Sequence, residues 1–302
     1  MSEFLHVGLF GSAGSGKSTM GLSFNGVEQN VFGSSEELTA KNFPERVKSG
    51  DILPPMKLDW MEFLKPEERS YFDGTTKDEA YIKSTEIDQE KKLRELQQLA
   101  TARKIIRYRR YILKTKDDLA NGRRPELKTL FLDNGTPFLN DYLDYQTVVF
   151  GHKYKTTAGN WDSIKFSMDY AKELDDFFEL FNSLQCNTVA SFHIKQAVDE
   201  ETSSKVDFMK DAQKGVRHSK EWHPMIMGQF KYNVTGKFDY AFYVRQVDEL
   251  GKPNRFIGTL ELDSVNGVGK SRIQPFDNPK SIEIPKNTFY SFLVSSINKK
   301  LV

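Results

Sequence analysis

Residues 11–18, Gly-Ser-Ala-Gly-Ser-Gly-Lys-Ser, satisfy the pattern G-x-x-x-x-G-K-[ST] at every fixed position. The residues on either side restrict the fold that can hold them. Residues 4–10 (Phe-Leu-His-Val-Gly-Leu-Phe) read as a buried strand, and residues 18–24 continue as a helix. In a strand–loop–helix of this kind the glycines let backbone N–H groups turn inward around phosphate oxygens. Gly11, Ser12, Ala13, Gly14, Ser15 and Gly16 then form a phosphate cradle, with Thr19 in the helix behind it. Lys17 would reach the β- and γ-phosphates, and the Ser18 hydroxyl would ligate Mg²⁺. The segment predicts a nucleoside triphosphate site.

The chain has 302 residues, enough for one large α/β domain or two small ones, and for a substantial core. Its formal net charge of +1 means that affinity for a polyanion must come from a local patch rather than from the whole surface. The single cysteine, Cys186, excludes an internal disulfide and fits a reducing compartment. It lies in an apolar run, which favours a core position. With no apolar stretch of about 20 residues and no signal-peptide pattern, the expectation is a cytoplasmic protein (host cytoplasm for a phage-encoded one) without a membrane partner.

Further strands are expected at residues 29–35, 128–133, 188–192, 238–244 and 256–262, the last two as a hairpin. Residues 66–124 form a distinct block rich in Lys, Arg, Glu, Gln and Leu, with almost no strand signal. Within it residues 78–116 read as one long helix or a helical pair, with Leu96, Leu99, Ile106 and Leu113 near one face. Asn121-Gly122 and Pro125 end it. Residues 161–184 read as an amphipathic helix with Ile164, Met168, Leu174, Phe177, Phe178 and Phe181 toward the core. Residues 285–301 form a closing helix, and 195–221 a polar loop. This alternation predicts an α/β fold, a mostly parallel sheet flanked by helices with an antiparallel C-terminal edge.

A phosphate loop needs a second acid for Mg²⁺, and the run Leu130-Phe131-Leu132-Asp133 offers Asp133 at the carboxyl edge of the sheet. The alternative for Asp133 is a helix cap. Glu36, with Glu37 as its rival, follows the second strand as a candidate water-orienting base, or as part of a solvated loop. His193 closes the strand at 188–192, where it could sense the γ-phosphate or be structural. Lys270 and Arg272 in the turn Gly267–Arg272 would point the same way on a strand. Their chemistry alone favours ordinary surface charges.

Taken in order, these features resemble the RecA-like P-loop ATPases found in many phages, the AAA-domain nucleotide-binding proteins that include phage single-strand annealing ATPases. The resemblance covers about residues 3–40 and 127–275. It rests on the loop at 11–18, Ser35-Glu36, Leu130–Asp133, the strand 187–193, the stretches Pro224–Lys231 and Phe238-Asp239, and Lys270-Ser271-Arg272. It implies a single RecA-like ATPase domain over 1–302, with 57–125 inserted, using ATP and Mg²⁺. It implies catalytic roles for Lys17, Glu36, Asp133, Lys270 and Arg272, the last two reaching the γ-phosphate of a neighbouring subunit in a ring or filament. It implies single-stranded DNA, and a single-strand-binding protein, as partners in recombination, annealing or replication. Asn134 stands where the family usually carries Ser or Thr, and the insertion is longer than in compact members.

In the insertion, Arg103, Lys104, Arg107, Arg109, Arg110, Lys114 and Lys116 interleave with Tyr108 and Tyr111. Cations with aromatic rings suit single-stranded nucleic acid, and a solvated or partner-docking helix is the alternative. Two other functions remain open on the residues. One is a P-loop small-molecule kinase using Lys205, Lys210, Lys214 and Arg217 as a basic lid. The other is a nucleotide-gated assembly protein without turnover. No Asn-Lys-x-Asp motif points to guanine.

Overall fold

The computed structural model describes residues 4–32, 42–155, 159–196, 222–224, 234–247, 255–260, 270–271 and 274–301. Six strands form its parallel centre: β1 (His6–Gly11), β2 (Val27–Phe32), β3 (Met56–Leu58), β4 (Thr129–Asp133), β5 (Asn187–Gln196) and, skipping a short strand, β7 (Tyr240–Val247). They lie in the order β7-β1-β5-β4-β2-β3. Beyond β7 the edge turns antiparallel through β8 (Arg255–Thr259), β9 (Lys270–Ser271) and β10 (Ile282–Glu283). The short β6 (Trp222–Pro224) adds antiparallel to the end of β5. The sheet is thus mostly parallel with an antiparallel C-terminal edge, the α/β class the strand pattern predicts.

Alternate residues of each strand face opposite sides, and both sides are buried. Phe10, Leu130, Leu132, Ala190 and Phe192 face one core, covered by α5 (Glu86–Ala120), α6 (Gly135–Phe150) and α7 (Ser163–Asn182). Val7, Leu9, Phe131, Val189, Phe242 and Val244 face the other, covered by α1 (Lys17–Leu22) and the closing helix α8 (Phe289–Leu301). Small helices α2 (Pro44–Lys48), α3 (Pro66–Phe72) and α4 (Glu79–Ile82) fill the connections around β3 and ahead of α5.

The expected long helix is α5 preceded by the separate turn of α4. Thr85 sets its start, its hydroxyl oxygen accepting from the Asp88 N–H at 3.2 Å, and Gly122 in the left-handed region (φ 66°) ends it. Its inward face matches the predicted one only in part: Leu96 is buried and Ile106 packs part-buried against the core. Leu96, Ala100, Ile105, Tyr108 and Ile112 are buried, whereas Leu99 and Leu113 are exposed. Aliphatic spacing misled because Tyr108 and Lys104 take core positions. Tyr108 packs edge-on against Phe32 and Phe138, and the Lys104 ammonium lies 2.5 Å from the Asp141 carboxylate of α6. Burial nevertheless pushes Asp141 up to about 6, against the pull of Lys104.

In α7, Leu174, Phe177, Phe178 and Phe181 are buried as predicted, joined by Tyr170. Ile164 and Met168 are exposed because they lie roughly 100–140° around the helix from the buried stripe, and in the first turns Phe166 turns inward instead, against Tyr154 and Tyr170. The strand at 188–192 also runs longer than expected, so His193 lies within β5 rather than at its end.

The Tyr108 hydroxyl is buried without a hydrogen-bond partner among the described residues. Tyr108→Phe is therefore expected to leave stability unchanged or raise it by about 1 kcal/mol. Tyr108→Ala should cost about 3–5 kcal/mol through the cavity it opens. Urea denaturation of the two variants distinguishes them.

Candidate nucleotide site

The loop after β1 folds as its glycines require. Gly14 and Gly16 take left-handed φ values of 77° and 83°, which other residues adopt at a cost. A Cβ on Gly11 would meet the Val244 carbonyl oxygen at 2.3 Å, and one on Gly16 would meet the Phe256 ring at 2.9 Å. The loop is therefore clamped against β7 and β8. Lys17 is 6% exposed, and its ammonium donates to the carbonyls of Gly11 (3.0 Å) and Ser12 (2.7 Å) and to the Ser15 hydroxyl (3.3 Å).

Asp133 ends β4 at the same sheet edge. Its Oδ1 accepts from the hydroxyls of Ser191 (2.6 Å) and Ser18 (3.2 Å), and its Oδ2 accepts from Gln29 Nε2 (2.8 Å). One carboxylate thus ties together β2, β5 and α1. It is 1% exposed, and these donors satisfy oxygens that burial would otherwise leave unpaired. The helix-capping alternative falls to its neighbour: Asn134 caps α6, its side-chain oxygen accepting from the Thr136 N–H at 3.0 Å.

His193 lies in register with Gly11 on the adjacent strand, and its N–H donates to the Thr136 hydroxyl at 2.9 Å. Burial first, and the Lys17 charge second, pull its imidazole below the ordinary value of 6.5. A neutral ring is the consequence at pH 7.

A cavity of about 520 Å³ opens onto this edge, lined by Ala13–Thr19 of the loop and helix, Asp133, Ser191 and His193 on one side, and Gln246, Phe256 and Lys286 on the other. The predicted Gly11 and Ser12 lie just behind it, holding the lysine. The fit to Mg²⁺ follows from the donors. Ser18 Oγ and Asp133 offer adjacent hard oxygen ligands, the chemistry Mg²⁺ prefers. Among the described residues no group of three or more His, Cys, Asp or Glu could hold a metal unaided.

Glu36, Glu37 and Arg272 lie outside the described residues, as do Lys205, Lys210, Lys214, Arg217 and the stretch 225–231. The described part of β2 ends at Phe32, one residue past the level of Asp133. Lys270 pairs in register with Ala241, itself level with Gly8, about 10 Å along the strand before Gly11.

Sequence reasoning missed Gln29, Ser191, Gln246, Phe256 and Lys286. Ser191 was discoverable, since it precedes His193 by two on a strand and shares its face. Gln29 carried a weaker signal, as a polar residue inside a strand. Phe256 and Lys286 lie about 240 and about 270 residues downstream of the loop, and nothing local marks them.

No protein-family model matches the sequence, and no curated protein matches it. Among solved structures, the chain is similar to the flagellar accessory protein FlaH from Methanocaldococcus jannaschii. The identity is 7% and the TM-score 0.32, over 92% of this chain and 88% of that one. The fold assignment rests on the strand order and register above. Among the described residues no helix is long and apolar enough to cross a membrane.

Because the folded-state pKa of His193 is lowered, the unfolded chain binds its proton more readily. Its contribution to stability is present above about 6.5 and is lost as pH falls through the lower folded value. An NMR titration should place the His193 midpoint below 6.5, and Lys17→Met should move it upward by removing the second cause. A midpoint at or above 6.5 in the wild type would refute the assignment.

Proposed function

We propose that the chain is a Mg²⁺-dependent ATPase of the RecA-like class, one ATPase domain over 1–302 with 57–125 as an insertion. The observation that supports this best is the convergence of Lys17 and Ser18, from the start of α1, and Asp133, from the end of β4, on one cavity. Bound with the triphosphate, Mg²⁺ supplies charge neutralisation at the phosphates. The chain's own residues bind and orient. The glycine loop presents N–H groups, Lys17 supplies a cation, and Ser18 and Asp133 furnish oxygen ligands held in place by Gln29 and Ser191. His193, kept neutral, offers a hydrogen bond at the γ-phosphate side. Glu36 is the proposed base that orients the attacking water.

Self-association is part of the proposal, and the position of β9 supports it. Lys270 is placed partway along the sheet rather than at the level of the chain's own loop, which suits a residue that acts on a neighbouring subunit. Arg272 is assigned the same role. Single-stranded DNA is the proposed polymer, in recombination, annealing or replication. The insertion cannot present all the groups its sequence suggested. Lys104 and Tyr108 are buried, Arg103 pairs with Glu68 at 2.7 Å, and Arg109 with Glu173 at 2.8 Å. Arg107, Arg110 and Lys114 remain exposed at i, i+3 and i+7, on one face of α5. That face is the proposed contact for DNA phosphates.

ATP hydrolysis by the purified protein should require Mg²⁺ and rise with single-stranded DNA. Lys17→Ala and Asp133→Asn should each lower kcat by about a hundredfold or more. Arg272→Ala subunits mixed with Lys17→Ala subunits should recover activity, since intact fingers then meet intact loops. Turnover indifferent to DNA would remove the DNA assignment and leave the ATPase. No recovery on mixing would remove the trans-acting role.

A further inference from the structure

The cavity has two unlike walls. Asp133, Ser191 and His193 come from β4 and β5, on one side of β1, and with Ser18 they form the metal-binding end. Gln246, Phe256 and Lys286 come from β7, β8 and the turn Lys286–Thr288, on the other side of β1. Four strand spacings separate β4 from β8, about 19 Å in all. A triphosphate whose terminal phosphates lie at the metal end must therefore direct its nucleoside end toward the β7–β8 wall.

Lys286 is fixed in that wall. The backbone before it is held by the Ile284 N–H, which donates to the Phe256 carbonyl at 2.7 Å. The backbone after it is held by the Tyr290 N–H, which donates to the Ser23 hydroxyl at the end of α1 at 3.0 Å. Its ammonium lies 4.5 Å from the centre of the Phe256 ring, which packs against Gly16. A cation–π contact restrains an ammonium without consuming its N–H donors. Among the described residues Lys286 forms no ion pair, although it is half-buried. The second lysine of the cavity, Lys17, is engaged by the loop carbonyls.

We propose that Lys286 is a second phosphate-binding cation of the nucleotide site, supplied by the same chain, and that it grips the phosphate nearest the nucleoside. This inference rests on the reading of the cavity as a nucleoside triphosphate site. It gives the antiparallel edge a function. β8 and the turn before α8 close the loop from the side opposite the metal and bring a donor that the phosphate-loop motif does not contain.

The test is displacement of a fluorescent ADP analogue, in Mg²⁺, by ATP, ADP, AMP and adenosine. Wild type, Lys286→Ala, Lys286→Arg and Lys17→Ala are compared, with the thermal melt of each as a folding control. Lys286→Ala should weaken ATP, ADP and AMP alike by roughly tenfold, as loss of one charged hydrogen bond predicts. Adenosine should change by less than about twofold, and Lys286→Arg should restore most of the affinity. Unchanged ATP and ADP affinity in Lys286→Ala overturns the proposal. So does an equal loss for adenosine, which would make the lysine a prop for Phe256, and so does a loss confined to ATP. If the wild type binds the analogue and Lys17→Ala does not, an unaffected Lys286→Ala refutes the inference alone. If the folded wild type binds no nucleotide, the nucleotide-site reading fails and the inference fails with it.

Discussion

Burial of a parallel sheet on both faces leaves its carboxyl edge as the place where polar chemistry can occur, and this constraint organises the molecule. The strands around β1 alternate apolar residues into two cores, one under α5, α6 and α7 and one under α1 and α8. Polar groups inside such a sheet need partners, because an unpaired buried polar atom costs about 1–3 kcal/mol. Asp133 shows how the need is met. Its carboxylate is almost wholly buried, yet it receives donors from Gln29, Ser191 and Ser18. The same bonds that make its burial tolerable tie β2, β5 and α1 to β4. They also aim two oxygen ligands into the cavity.

A second buried charge cluster lies away from that edge. Glu28 on β2 accepts from Arg124 at 2.5 Å and from the Tyr111 hydroxyl, and burial pushes Tyr111 up to about 12. With Lys104 against Asp141, these pairs fasten the long helix α5 across the sheet and along α6. Such pairs contribute little net stability compared with apolar packing, but breaking one partner leaves an uncompensated buried charge. They draw two of the insertion's cations, Lys104 and Arg124, into the protein. The helix that looks most basic in sequence directs several of its charges into the protein, and Phe32, at the end of β2, is packed beneath its Tyr108.

The loop at 11–18 was legible because its function requires glycines at fixed spacing, a local steric demand that the chain must write out in order. Asp133 was legible for a related reason, as a charge ending an apolar run, and so was the antiparallel edge, through alternation in β7 and β8. The inward face of α5 was legible only in part. Helical periodicity ranks aliphatic residues above lysine and tyrosine, and here Tyr108 fills space between Phe32 and Phe138 while Lys104 is neutralised by a carboxylate 37 positions away. Ile164 and Met168 failed in the opposite sense. Both are apolar, but they lie off the stripe that Tyr170, Leu174, Phe177, Phe178 and Phe181 bury, which Phe166 continues toward the start of the helix.

By itself the sequence determined the phosphate loop, the α/β alternation and the acid that faces the loop, because each depends on residues adjacent in the chain or on a short repeat. Tertiary structure decided the rest of the site. Strand order places β5 between β1 and β4, and so brings Ser191 and His193 beside Lys17 and Asp133. The return of the chain through β7, β8 and the turn before α8 brings Phe256 against Gly16 and Lys286 into the cavity. No local pattern could reveal those residues, since pairing between strands far apart in the chain is settled by the packing of the two cores.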